Sequence, residues 1–250
     1  MPEAVKRLRP FWVALQFLTR LPVHLREPPS EREIGQSLLY YPLVGLLLGL
    51  ILAGLAWAMR DGSSMLRAAL LLAMWVLITG ALHLDGLADS ADAWVGGQGS
   101  RERTMTILKD PYCGPAGAVA LILLLLVKLA ALDTLAAQHQ ILPLALAPFI
   151  GRTSLPALFI STPYARAGSL GEVLARQCPR WPTVAVVFAA VATVPLTTGR
   201  YGLWSLASAL ATFTVLRVLM LRRLGGTTGD TAGAMVELVE ASVLVTAAMV

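Results

Sequence analysis

The stretch LRAALLLAMWVLITGALHLDGLADSADAW, Leu66–Trp94, decides the fold class. Its first part, Leu66 to Leu84, is almost wholly apolar, close to the ~20 residues that a helix needs to cross a bilayer. Its second part sets Asp85, Asp89 and Asp92 at i, i+4 and i+7, which is one face of a helix. Three like charges on one face repel, so a cation is expected beside them. Ligands that are all oxygen favour a hard ion, magnesium or manganese, over zinc. A solvated helix start would also accept three aspartates, because acids are welcome at the positive end of a helix dipole.

The surrounding composition tips that balance. The chain has 250 residues, 56% hydrophobic and 14% charged, where a soluble domain carries about 25% charge. Mean hydropathy is +0.69. This is an all-α, polytopic transmembrane helix bundle, read as one integral membrane domain over 1–250. Seven spans are expected, near 37–59, 65–84, 115–137, 141–160, 182–199, 201–221 and 231–250. Residues 1–34, with Phe11, Trp12, Leu15, Phe17 and Leu18 clustered, read as a surface-lying or re-entrant segment. The apolar start is too short and interrupted for a cleavable signal peptide. Cys113 and Cys178 are far apart, which indicates neither a disulfide framework nor a zinc site. The net charge of +5 needs no nucleic acid, since basic loops facing an anionic leaflet account for it.

Orientation follows from the basic residues. With the N-terminus in the cytoplasm, that side holds Lys6, Arg7, Arg9, Arg20, Arg26, Arg32, Arg101, Arg103, Lys109, Arg166, Arg176, Arg180, Arg222 and Arg223. The opposite side holds Arg60, Arg67 and Arg200, and Lys128, Arg152 and Arg217 fall within apolar runs. The segments 85–114, 161–181 and 222–230 then share the cytoplasmic face as active-site loops.

Further residues there carry chemistry. Lys109-Asp110-Pro-Tyr-Cys-Gly114-Pro115 opens a span, and a helix start beside glycine can hold a phosphate on free N–H groups or be a plain turn. Gly225-Gly226-Thr227-Thr228-Gly229-Asp230 leads into a helix carrying Glu237 and Glu240. Acids inside an apolar terminal helix are costly in lipid, so they read as metal ligands with Asp230, or as partners of Lys128 or Arg152. The loop, with Gly226 and Thr228, suits phosphate but lacks the Gly-Lys-Ser/Thr of a P-loop. Arg152 and Arg166 offer forks for phosphate or carboxylate. His83 stands where a general base or a capping residue would.

Phe17-Leu-Thr-Arg-Leu-Pro-Val23, Tyr41-Pro-Leu-Val-Gly-Leu46, His83–Asp92, Lys109-Asp110, Gly114, Tyr164-Ala-Arg166 and Gly225–Asp230 with Gly233 and Glu237 occur in one order along nearly the whole chain. In this the sequence resembles the cobalamin synthase family of adenosylcobinamide-GDP ribazoletransferases. The resemblance implies a magnesium-dependent enzyme of the inner membrane that joins adenosylcobinamide-GDP to α-ribazole, or its 5'-phosphate, and releases GMP. Asp85 and Asp89 map onto the family's paired aspartates and Asp92 onto the third acid, while Pro111-Tyr112-Cys113 replaces the usual Ser-Arg. A homo-oligomer or a complex with other cobalamin-assembly enzymes is compatible with it. The Asp-Gly run also looks like the start of a CDP-alcohol phosphotransferase motif, but Asp89 stands where that motif needs arginine. A secondary transporter would carry acids at mid-membrane and repeated halves.

Overall fold

The structure is a computed structural model and describes residues 8–250. Lys6 and Arg7 of the orientation argument lie outside the described residues. The described chain forms twelve α-helices: α1 Arg9–Leu18, α2 Glu31–Ser37, α3 Tyr41–Ala58, α4 Ser64–Thr79, α5 Leu82–Gly96, α6 Arg101–Ile107, α7 Pro115–Ala137, α8 Leu142–Ser161, α9 Leu170–Gln177, α10 Arg180–Thr198, α11 Arg200–Leu224 and α12 Gly229–Met249. The one β-like contact among these residues is a bridge between Tyr164 and Thr227. Six helices are long and apolar enough to cross a membrane, α2–α3 counting as one, and the bent pair α4–α5 makes a seventh candidate.

That pair corrects the expected span 65–84. The helix stops at Thr79, Gly80 and Ala81 take left-handed φ of 62° and 58°, and α5 leaves at 89° to α4. The cause is Arg20. Its backbone N–H donates to the Ile78 carbonyl at 2.6 Å, and its Nε would lie 2.3 Å from a Cβ on Gly80. A residue without Cβ tolerates both the positive φ and the crowding. Beyond the bend α5 still packs along α7, with Leu84 clustered with Leu124 and Asp92 at Gly114 and Gly117. The 85–114 segment is accordingly helical over much of its length.

The core lies along α3, α8 and α12. A Cβ on Gly45 would meet the Pro148 carbonyl at 2.4 Å and one on Gly49 the Ala145 Cα at 2.6 Å, so small residues set the α3–α8 approach. Met235, Val236, Val239, Val243 and Leu244 of α12 are buried. By contrast α10 and α11 expose Phe188, Leu196, Leu203 and Leu210, a surface suited to lipid.

Contacts sort the connections onto two ends. At one end Arg223 donates to the Trp94 carbonyl (2.7 Å) and Thr104 Oγ1 (2.9 Å), joining α11 to α5 and α6. There also Thr227 N–H donates to Pro163 O and Ala165 N–H to Thr227 O, each at 2.8 Å. At the other end Arg67 donates to the Ala136 carbonyl (2.5 Å) and the Arg60 carbonyl (3.0 Å), capping α7. A buried arginine on C-terminal carbonyls is favoured by the negative end of the helix dipole.

Candidate active site

The helices α5 and α12 meet at glycines. A Cβ on Gly86 would stand 2.6 Å from the Asp230 carbonyl, and one on Gly233 3.3 Å from the His83 Cα. This approach brings Asp85 of α5 and Asp230 of α12 to one cavity of about 300 Å³, which His83, Tyr164 and Arg166 also line. Asp230 sits in the first turn of α12, whose N-cap is Thr228. Arg166 Nη1 donates to Asp230 Oδ2 at 3.1 Å. Asp89 lies one turn beyond Asp85, and its carboxyl is pushed up to about 6. Burial is the largest cause, followed by the charges of Asp85, Asp230 and Asp92, with Arg166 opposing. Three carboxylates therefore face one guanidinium, and the region is short of positive charge.

Asp92 is differently employed. Its Oδ2 accepts the Gly114 N–H at 2.7 Å and its Oδ1 the Gly117 N–H at 2.9 Å. The start of α7 does bind an anion on its free N–H groups, and that anion is the Asp92 carboxylate. A Cβ on Gly114 or Gly117 would lie 2.5 or 2.4 Å from its oxygens. The expected phosphate site at Gly114 is thus filled from within the chain, and Asp92 spends both oxygens on it.

Glu237 and Glu240 are also engaged. Lys128 Nζ donates to Glu237 Oε2 and to Glu240 Oε2, each at 2.6 Å, and Arg152 pairs with the other oxygen of Glu240. All four side chains are buried. Lys128 also lies over the Trp75 ring, 4.7 Å from its centroid. Two acids and two cations balance, tying α7, α8 and α12 together inside the bundle. Arg152 further approaches His83 Nδ1 at 3.5 Å. Arginine only donates, so a hydrogen bond here would need the Nδ1 lone pair of a neutral His83. Among the described residues, no three His, Cys, Asp or Glu side chains stand close enough to enclose a metal by themselves.

A family model described as cobalamin-5-phosphate synthase matches residues 10–248. The chain belongs to the cobalamin-5-phosphate synthase family. Among its relatives, an adenosylcobinamide-GDP ribazoletransferase of Pseudomonas fluorescens Pf0-1 is 54% identical over 236 residues, 94% of this chain and 97% of the relative. The enzyme of that name from Pseudomonas putida KT2440 is 54% identical over 235 residues, covering 94% and 96%. That of Pseudomonas syringae pv. syringae B728a is 51% identical over 240 residues, covering 96% and 99%. No solved structure matches.

The remaining expected residues of this family member fall away from the cavity. A Cβ on Gly226 would stand 2.3 Å from the Pro163 carbonyl, so this glycine serves loop packing. The Thr228 hydroxyl accepts from Thr231 N–H at 3.2 Å and is fully buried. Lys109 is exposed beyond α6. Conversely, Phe17, Tyr41, Tyr164, Leu170 and Leu174 line the cavity without having been expected there. Phe17, Tyr41 and Tyr164 do stand in ordered motifs of the sequence, but nothing local in those motifs aims them at Asp85.

Proposed function

We propose that this chain transfers the adenosylcobinamide phosphate moiety of adenosylcobinamide-GDP to α-ribazole or its 5'-phosphate, at the inner membrane, with the cavity facing the cytoplasm. A hydroxyl oxygen of the ribazole attacks the phosphorus on the cobinamide side, the bond from that phosphorus to the GMP oxygen breaks, and the hydroxyl proton is lost. The observation that carries this reading is that Asp85 and Asp230 line one cavity with Arg166, while Asp89, outside that lining, is near enough to feel the charges of both acids. Such an excess of oxygen ligands fits magnesium, which binds through one or two carboxylates and keeps waters and substrate phosphates for the rest. When bound there, held by Asp85 and Asp230, the ion would neutralise charge on the phosphates and the leaving GMP. Arg166 is placed to add a fork for a phosphate oxygen. His83 is better read as a positioning residue between α5 and Arg152.

The test is GMP release by purified protein supplied with adenosylcobinamide-GDP. Release that requires both α-ribazole and magnesium supports the reading, and release indifferent to α-ribazole sinks it. Sidedness is separable. Cys113 is exposed in the segment before α7. It should react with an impermeant maleimide only after spheroplasts are opened, and reaction from outside would reverse the orientation.

A further inference from the structure

On α5 the residues Leu87, Ala91 and Trp94 repeat the spacing of Asp85, Asp89 and Asp92 two positions later, which puts them on the opposite side of the helix. On that side α5, α11 and α12 form a groove of about 170 Å³. Apolar side chains make most of its wall, among them Leu87, Trp94, Leu219, Met220 and Leu238. Leu219 is 42% exposed, and Val215, one turn before it, is 59% exposed. Both α11 and α12 are long and apolar enough to cross a bilayer, so hydrocarbon is what lies along this groove. The helices that carry Asp85 and Asp230 on one side thus turn their backs to lipid.

A cation stands at one end of the groove. Arg223 follows Leu219 and Met220 by one turn on the same face of α11, and its guanidinium lies 5.9 Å from the centroid of the Trp94 ring. Its two hydrogen bonds go to neutral oxygens, Thr104 Oγ1 and the Trp94 carbonyl, and no carboxylate pairs with it among the described residues. Nη1, 3.5 Å from where a Cβ on Gly99 would stand, is left without a partner there. Arg101 adds a second charge. Its Cζ is 4.0 Å from the position of a Cβ on Gly225, two residues past Arg223, and its side chain is exposed. The one acid of α6, Glu102, accepts instead from Ser100 Oγ at 3.0 Å. Positive charge beside a tryptophan, at the end of a groove facing hydrocarbon, suits a lipid with an anionic head.

We propose that this groove binds an acyl chain of an anionic phospholipid, with the headgroup phosphate on Arg223 Nη1 and Arg101. The site goes beyond the transfer reaction and does not depend on it. A zwitterionic lipid can fill the groove with the same chain, but its head carries a positive charge that offsets its phosphate, so the two arginines select a net negative head. A second copy of the chain is the poorer occupant. The lipid-facing helices α10 and α11 carry no acidic residue, so a copy docking through them would leave both guanidiniums without counter-charge.

The experiment is native mass spectrometry of the detergent-solubilised chain, offered phosphatidylglycerol or phosphatidylcholine with the same acyl chains, and reads retention of the first lipid bound. Wild type should retain phosphatidylglycerol about ten-fold more strongly or better. Arg101 makes no hydrogen bond among the described residues, and Arg101→Gln should cut the preference about five-fold, the effect of one basic residue on an anionic lipid. Arg223→Gln should cut it at least as far. Neither should change retention of phosphatidylcholine, which also reports that both variants fold. Leu219→Trp fills the groove from an exposed position and should lower retention of both lipids about ten-fold, as loss of two buried methylenes does. Leu203→Trp, 58% exposed at the far end of α11, should change neither. Equal retention of the two lipids by wild type overturns the proposal. So does a preference that survives Arg101→Gln combined with Arg223→Gln, or retention unchanged in Leu219→Trp. A dimer that excludes lipid and dissociates in Leu219→Trp overturns it as well, by making the groove a contact between copies.

Discussion

Asp85 and Asp230 line a cavity with Arg166, and Asp89 lies close by, whereas Glu237 and Glu240, about 10 and 15 Å farther along α12, meet Lys128 and Arg152. The first group lies at an open cavity. The second lies where the bundle is closed on all sides and every charge must find its opposite within the protein. Depth thus separates two sets of acids that look alike along the chain. Balanced charge deep in the bundle is architecture, and unbalanced charge at the cavity is what the proposed function uses.

The comparison breaks most visibly at Glu240. Glu240→Gln leaves Arg152 and half of Lys128's interaction uncompensated, which costs about 3–5 kcal/mol for a buried pair. The expected result is a large fall in the thermal midpoint of the detergent-solubilised protein that added magnesium does not repair. Removing a matched pair should be milder, so Lys128→Met with Glu237→Gln, which keeps Arg152 on Glu240, should be more stable than Lys128→Met alone. A Glu240→Gln protein with unchanged midpoint and magnesium-rescued activity would instead join the two groups into one metal site. At the cavity the signs reverse. Asp85→Asn or Asp230→Asn should lower GMP release about 10²–10³-fold, the size of a lost electrostatic contact to the transition state. The midpoint should hold or rise, because repulsion is relieved. Full activity in Asp85→Asn would remove the cavity from the chemistry.

How far these regions could be read in advance depends on how local their causes are. The helix α7 occupies Pro115–Ala137, the bounds expected from hydropathy, because the bilayer itself sets the length of an apolar run. Hydropathy is equally continuous across Gly80 and Ala81, yet the chain turns there, with Arg20, far away in sequence, packed against Gly80. Asp85 and Asp230 could be assigned to the same end from the order of spans alone. Which acid would meet which cation could not, because Lys128 and Arg152 lie on helices other than that of Glu237 and Glu240, and spacing along the chain does not set their pairing. The α7 start was legible as an anion site from Gly114-Pro115, but its anion comes from α5, a contact across helices that no spacing within the loop announces.

Asp92 tests whether the boundary between the two roles runs within α5 itself. In Asp92→Asn the amide keeps one acceptor oxygen, so one of the N–H groups of Gly114 and Gly117 loses its partner. The cost is that of a helix cap, about 1–2 kcal/mol. The thermal midpoint should fall while the magnesium concentration for half-maximal GMP release stays put. A shifted magnesium requirement at an unchanged midpoint would make Asp92 a metal-binding residue.

The smallest effect belongs to Asp89, and its sign follows from linkage. Burial and the neighbouring acids push its carboxyl up from the ordinary 3.8 to about 6. Between those values the native state holds a proton that the unfolded chain has released, so stability falls as pH rises through that window. Metal-free protein should therefore gain thermal stability as pH drops from 7 toward 5 through this group, and Asp89→Asn should flatten that part of the slope. Magnesium should flatten it too, by supplying the positive charge that the proton otherwise provides. If the slope survives both changes, the acids at the open end of the bundle are as well compensated as those inside it.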